Sequence, residues 1–118
     1  MATIRNARPD WLHVLDEPMI SSRRVEWVEF AARARLPLSS DVAETARVGG
    51  LISYSAVIAE HYSLAAAYVD KILKGAKPAD LPVEQPTRYE LIVNLRTAKS
   101  LGISVPQSVL LRAHEIVQ

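Results

Sequence analysis

Short apolar runs alternate with longer stretches of helical periodicity along this chain, and that alternation restricts the possible folds more than any other feature. Runs of strand length lie at 11–15, 51–54 and 88–94, with a further strand candidate at 38–40. The stretches between them carry apolar residues three and four positions apart, most clearly from 57 to 74. Strands that alternate with helices predict an α/β fold with a mainly parallel sheet covered by helices.

Capping residues and prolines mark the ends of the predicted helices. Ser21 or Ser22 is expected to cap a helix that Pro37 stops, because short hydroxyl side chains satisfy the free N–H groups of a first helical turn. The spacing of Val25 and Val28 places both on the buried face of this helix.

Three later helices show similar signals. Asp41 followed by Glu44 has the form of a capping box, and Gly49 with Gly50 supplies a stop for that short helix. Asn94 is expected to cap the helix that follows the run at 88–94. A last helix is predicted from Pro106 through 117, because apolar residues continue there at helical spacing.

The stretch 75–87 differs from the rest of the chain. It begins with Gly75, where a left-handed helix end is expected, and it contains Pro78, Pro82 and Pro86 without any periodic pattern. We therefore predict a single α/β unit over 1–118 in which 75–87 is a Pro-rich, hinge-like connection.

Composition excludes several classes of function. The chain has 118 residues, of which 49% are hydrophobic, so a buried core is expected. Its formal net charge of +1 gives little attraction for nucleic acid or anionic lipid. Cysteine is absent, and no segment approaches the ~20 apolar residues of a membrane span. The N-terminal residues lack the apolar run of a secretory signal, which predicts a cytoplasmic location for the chain as written.

Residues that could carry chemistry are scattered. His13, His61 and His114 have no second His, Cys or acid at metal-ligand spacing. The serines lie outside any Gly-x-Ser-x-Gly elbow, and the glycine pair at 49–50 is not part of a phosphate loop. We expect no metal, no cofactor and no catalytic activity, since a small enzyme would need an acid, a base and a nucleophile that converge.

A long motif carries a specific resemblance. The run AAYVDKILKGAKPADLPVEQPT at 66–87 and the run YELIVNL at 89–95 look like a well-known stretch of one solute-binding family. The likeness continues through Leu101-Gly102 to 111–113 and extends more loosely to Gly49-Gly50 and the Ser-Tyr pair at 53–54. The chain thus resembles ABC-transporter substrate-binding proteins that are related to aromatic amino-acid binders.

The resemblance implies part of a periplasmic-binding-protein type I fold. Members have two α/β lobes that face a ligand cleft and are joined by crossing strands, and this chain is similar to about the second half of one. By that pattern, the helix around Tyr68 belongs to one lobe and the segment around Leu91 to the other. The family is periplasmic and delivers its ligand to an ABC permease.

The resemblance also implies three ligand-binding residues. Glu17, before Pro18, matches a family Asp-Pro at a cleft-facing strand end, where a carboxylate can receive an ammonium group. Ser53 and Tyr54 match a Ser-Tyr that offers a hydroxyl and an aromatic wall. The family then continues with Gly-Pro-Asn, whereas this chain has Ser-Ala-Val at 55–57.

Two functions remain open at this point. The first is a solute-binding component, or a fragment of one, that binds a small molecule such as an amino acid. The alternative is a dimerising interaction module that is derived from the same fold and binds no ligand. In either case we expect a homodimer, because elements whose usual partners lie outside this stretch of the family would expose large apolar faces.

Overall fold

Five strands form one sheet in the computed structural model, which describes residues 2–118. The strands lie side by side in the order β1-β2-β3-β4-β5. In chain order the elements are α1 (Ala2–Ala7), β1 (Leu12–Val14), α2 (Pro18–Ser21), α3 (Arg24–Ala34), β2 (Leu38–Ser40), α4 (Ala43–Arg47), β3 (Ile52–Ala56), α5 (Ile58–Leu73), a 3-10 turn (Pro78–Asp80), β4 (Tyr89–Asn94), α6 (Leu95–Leu101), α7 (Gln107–Leu110) and β5 (Glu115–Val117).

The strand pairs β1 with β2, β2 with β3, and β4 with β5 are parallel. Val14 is in register with Ser40, and Ser40 with Ser53, so the carboxyl ends of the first three strands lie at one edge of the sheet, where β3 continues farther, to Ala56. The α/β fold with a mainly parallel sheet is confirmed. The strand candidate at 38–40 is β2, whose three residues are all buried.

The pairing of β3 with β4 runs the other way. The N–H of Asn94 donates to the carbonyl of Leu51 at 2.9 Å, and the N–H of Val57 donates to the carbonyl of Arg88 at 3.0 Å. Partners that move forward along β3 therefore move backward along β4, which is the antiparallel pattern.

The chain divides into two compact units. The first comprises the part up to Ser55 together with Glu90–Gln118, and the second comprises Ala56–Tyr89. Tyr68 accordingly lies in the second unit and Leu91 in the first. The stretch 75–87 includes the 3-10 turn and otherwise has no regular element.

The core of the first unit lies between β1, β2 and α3. Val14, Val28, Ala31 and Leu38 are buried together, with Leu12, Ile20, Trp27 and Leu36 packed against them. Alternation along β1 sends Leu12 and Val14 to the same side, toward the helix. Val25 was predicted to share the buried face of α3, but it is 58% exposed, because Val28 and Ala31 are the residues that face the sheet.

The last three residues of β4 are buried without alternation. Ile92, Val93 and Asn94 are at most 1% exposed, as expected of a strand with neighbours on both sides and cover on both faces. Asn94 caps α6, as the sequence predicts: its Oδ1 accepts the N–H of Thr97 at 3.0 Å. Its Nδ2 donates to the carbonyl of Ala46 at 2.8 Å, which ties β4 to α4.

Two of the predicted helix caps are wrong. No side chain caps α3, which begins after Arg23, and the Ser22 hydroxyl instead donates to the carbonyl of Met19. Neither Asp41 nor Glu44 forms a capping box. The residue before α4 is Val42, and its N–H donates to the Ser40 hydroxyl at 3.1 Å.

The C-terminal residues form a strand and not the end of a helix. Helix α7 stops at Leu110, and Glu115–Val117 pairs with Ile92–Asn94 as β5. Arg47 fixes this strand, because its Nη2 lies 2.8 Å from Glu115 and its Nη1 lies 2.7 Å from Glu44. The hydrogen bonds to Glu115 and then to Glu44 raise the pKa of Arg47. Although the apolar residues of this segment have helical spacing, hydrogen bonding to β4 makes Glu115–Val117 a strand.

Candidate functional site

The common edge at which β1, β2 and β3 end is the candidate site. Open parallel sheets bind ligands beyond the carboxyl ends of their strands, because the loops that follow the strands meet there. Here those loops carry Asp16 and Glu17 after β1 and Asp41 after β2, while Tyr54 lies in β3, one residue past the level at which β2 ends. We refer to these strand ends and loops as the carboxyl edge.

Glu17 lies in the turn between β1 and α2. Its carbonyl accepts the N–H groups of Ile20 and Ser21 at 2.9 and 2.7 Å, so the backbone is fixed by the first turn of the helix. Its side chain is exposed and makes no capping hydrogen bond. The neighbouring carboxylate of Asp16 accepts the Ser21 hydroxyl at 2.5 Å. Glu17 therefore presents an accessible negative charge at the carboxyl edge.

Ser53 and Tyr54 point to opposite faces of β3, because successive strand residues alternate. Ser53 is fully buried beside Ser40, and its hydroxyl has no hydrogen-bond partner among the described residues. Ser55 lies on the same face, and its hydroxyl likewise has no hydrogen-bond partner among the described residues. Tyr54 is 60% exposed on the other face. The structure thus brings all three expected residues to one edge but does not turn them toward one point.

The enclosed space at this edge is small. A cavity of about 10 Å³ lies among Val14, Ser40, Thr45, Arg24 and Trp27. That volume is about the minimum for one water molecule, whereas small-molecule pockets measure roughly 300–1,000 Å³. The carboxyl edge on its own therefore provides one wall of a binding site and not a closed pocket.

Sequence reasoning missed a polar cluster on the outer face of β1 and β2. The Ser39 hydroxyl lies 2.7 Å from Trp11 Nε1, which donates to it, and 2.7 Å from His13 Nδ1. Strand alternation and the register of His13 with Ser39 would have predicted this cluster if β2 had been aligned with β1. Among the described residues, no carboxylate hydrogen bonds to His13, so the cluster lacks the acid that would orient a catalytic imidazole.

Within 2–118, no group of three or more His, Cys, Asp or Glu side chains is placed to hold a metal ion. No helix in the same range combines the length and apolarity that crossing a membrane requires.

Two solved structures share both fold and appreciable sequence with the chain. A conserved domain protein from Vibrio cholerae O1 biovar El Tor is 25% identical, with a TM-score of 0.89 over 97% of this chain and 38% of that one. An ABC domain in complex with L-Trp from Streptococcus pneumonia is 28% identical, with a TM-score of 0.88 over 98% of this chain and 39% of that one.

A third structure shows the fold alone. It is the ligand-free, open form of a substrate-binding protein with adhesive properties from Clostridium difficile, 19% identical, with a TM-score of 0.67 over 99% of this chain and 39% of that one. The chain therefore spans less than two fifths of the length of these proteins. No curated protein sequence matches it.

The family comparison covers nearly the whole chain. A model described as "ABC transporter substrate binding protein" matches residues 7–117. Its span includes the five strands and both compact units, and the structural likeness agrees with a partial fold of the periplasmic-binding type. This chain belongs to the ABC transporter substrate-binding protein family.

Proposed function

We propose that the chain is a solute-binding component of an ABC-type transport system and that its ligand is an amino acid or a similar small amine. The observation that supports this most directly is the set of side chains at the carboxyl edge, where Glu17 and Tyr54 are accessible. A carboxylate attracts an ammonium group, and an aromatic ring offers an apolar or cation-binding face. The similar Streptococcus protein was solved with L-Trp, which combines an ammonium group with an aromatic ring.

The three residues take different parts in this proposal. Glu17 receives the ammonium group directly, and Tyr54 forms a wall of the site. Ser53 is too deeply buried to touch a ligand, so its unpaired hydroxyl would reach one only through a bridging water. Such a water would also offset the ~1–3 kcal/mol that an unsatisfied buried hydroxyl otherwise costs.

The remaining walls of the pocket have to come from other polypeptide, because the edge encloses only about 10 Å³. A second copy of the chain is the partner that we propose, and an ABC permease is the downstream partner of any complete binding protein that results. Since the family acts outside the cytoplasmic membrane, the periplasm is the proposed place of action.

A thermal-shift screen tests ligand binding. L-Trp and the other common amino acids are titrated against the chain, and a ligand at 100 times its Kd should stabilise the fold by about 2.7 kcal/mol. Glu17→Gln and Tyr54→Ala should each reduce the shift, whereas Glu29→Gln, an exposed acid on α3, should leave it unchanged. Full shifts in both site variants would contradict the assignment of these residues.

A second function is a dimerising module that binds no small molecule. The small size of the cavity at the carboxyl edge favours it, as does the second unit, in which no residue is buried. A homodimer that shows no shift with any amino acid would support this module over a solute-binding component.

A further inference from the structure

A cavity of about 190 Å³ lies in the first unit, between α3 and α6. Its lining includes Val28 and Ala31 of α3, together with Leu38 of β2. These three side chains are buried, so this part of the wall is continuous with the packed core, and Leu101 of α6 adds a further apolar surface. An apolar cavity of about 150 Å³ is large enough to bind benzene. The space between α3 and α6, which we call the inner cavity, can therefore hold one small ring or branched chain.

A more open and more polar volume of about 380 Å³ adjoins the inner cavity. The two share Gly49, Thr97 and Ser100 as lining residues, so they lie side by side. The second volume, which we call the outer cavity, is also lined by Asn94 and Arg96. Taken together, the inner and outer cavities reach the size of small-molecule sites, which measure roughly 300–1,000 Å³.

Gly49 lines both cavities and is held in place by its neighbours. Its carbonyl accepts the Thr97 hydroxyl at 2.9 Å, which fixes the loop before β3 to α6. Its φ of 125° lies in the region that favours glycine, and a Cβ at this position would lie 2.8 Å from Cγ1 of Val28. The space beside Gly49 is thus a consequence of an ordered backbone that carries no side chain.

Arg96 is the charged donor that these cavities offer to an anion. Its side chain is exposed and forms no ion pair with any of the described residues. The hydroxyl protons of Thr97 and Ser100 are already donated to the carbonyls of Gly49 and Thr97. The Asn94 amide is likewise occupied by its hydrogen bonds to α4 and α6. No Asp or Glu occurs among the described residues that line either cavity, so an anion meets no nearby negative charge there.

We propose that the inner and outer cavities form a binding site for a small monocarboxylate with an aromatic or branched aliphatic group. The apolar group occupies the inner cavity, and the carboxylate accepts hydrogen bonds from Arg96, whose planar guanidinium suits a carboxylate. Gly49 precedes β3 and Arg96 follows β4, so this site lies at the opposite edge of the sheet from the carboxyl edge. It is separate from the amino-acid site of the proposed function, and neither depends on the other.

Titration with benzoate, followed by NMR correlation spectra of the backbone amides, tests the position of the site. The amide signals of Gly49, Thr97 and Ser100 should shift saturably, with a Kd on the order of 1 mM for so small a ligand, and that of Glu17 should not move. No saturable shift at these three amides up to about 20 mM benzoate, or saturation at Glu17 instead, would overturn the site.

The charge of the ligand is tested by benzamide, which has nearly the same shape as benzoate but no negative charge. Benzamide should bind about tenfold more weakly, because it lacks the charge-assisted hydrogen bonds to Arg96. Arg96→Gln should weaken benzoate binding by a similar factor and leave benzamide binding unchanged. Lys99→Gln, at an exposed basic residue of the same helix that lines neither cavity, should bind benzoate as the wild type does. Equal benzoate affinities of Arg96→Gln and the wild type would overturn the carboxylate assignment.

The apolar part of the site is tested by Ala32→Phe. Ala32 lines the inner cavity at an exposed position, so a larger side chain can fill the space without entering the buried core. This variant should keep the circular dichroism spectrum of the wild type and lose the saturable benzoate shifts. Ala67→Phe, at an exposed alanine of α5, should retain them. Undiminished benzoate binding by folded Ala32→Phe would overturn the inner cavity as the place of the apolar group.

Discussion

Replacing Asn94 by alanine should weaken the fold measurably, because its buried side chain joins three elements. Its Oδ1 accepts the N–H of Thr97 at the start of α6, and its Nδ2 donates to the carbonyl of Ala46 in α4. Residue 94 itself is the last residue of β4. Alanine removes both hydrogen bonds and leaves the backbone unchanged.

The magnitude follows from these two contacts. Loss of a helix cap costs about 1 kcal/mol, and loss of a neutral buried hydrogen bond costs about as much. The carbonyl of Ala46 keeps a second donor, the N–H of Gly49 at 3.2 Å, so it is not left without a partner. The free energy of unfolding should therefore fall by about 2 kcal/mol, with a drop in Tm of roughly 6–10 °C.

Urea denaturation followed by circular dichroism measures this change, with Asn6→Ala on the exposed side of α1 as the matched control. A loss below about 0.5 kcal/mol would refute the role of Asn94, since no cap or buried hydrogen bond is that weak on average. Asn94→Asp adds a check through pH. Burial should raise the pKa of the new carboxyl, so stability should be greatest below pH ~4 and fall as pH rises through the raised value.

Two further substitutions test other contacts. The N–H of Arg88 and the hydroxyl of Thr87 hydrogen-bond Glu60 and lower its pKa, so its stabilising effect should be present above pH ~4.3 and lost as pH falls through the lowered value. Glu60→Gln should remove that part of the pH dependence in thermal melts, and an unchanged profile would count against the contact. Gly50→Ala should reduce Tm, because a Cβ would lie 2.8 Å from the carbonyl oxygen of Thr45, and a variant as stable as wild type would show that this loop can move aside.

The strands and the longest helix could be predicted because local pattern and burial agree. The runs at 11–15 and 51–54 are short and mostly apolar, and each overlaps a strand of the sheet. Helix α5 lies within one residue at either end of the predicted 57–74, since Gly75 takes the positive φ of 101° that ends it. In these places a short window of sequence contains the information that decides the structure.

Other features depend on contacts distant in sequence. Glu115–Val117 is a strand because β4 offers a free side and Arg47 holds Glu115, and neither partner is within 20 residues in the chain. The cluster of Ser39 with Trp11 and His13 likewise appears only when β1 and β2 are aligned. For the candidate site, the family resemblance implied Glu17, Ser53 and Tyr54, but the opposite directions of Ser53 and Tyr54 follow from strand geometry and not from the resemblance.

Because β3 pairs antiparallel with β4, the segment Ala56–Tyr89 begins and ends on neighbouring strands and could be deleted. The segment leaves the sheet and rejoins it on adjacent strands, and the bond from the Val57 N–H to the Arg88 carbonyl holds its two ends side by side. A two-residue Asn-Gly turn could join such ends directly as a hairpin. The first unit is therefore a starting scaffold for a shortened protein, and a different segment could be inserted in place of Ala56–Tyr89.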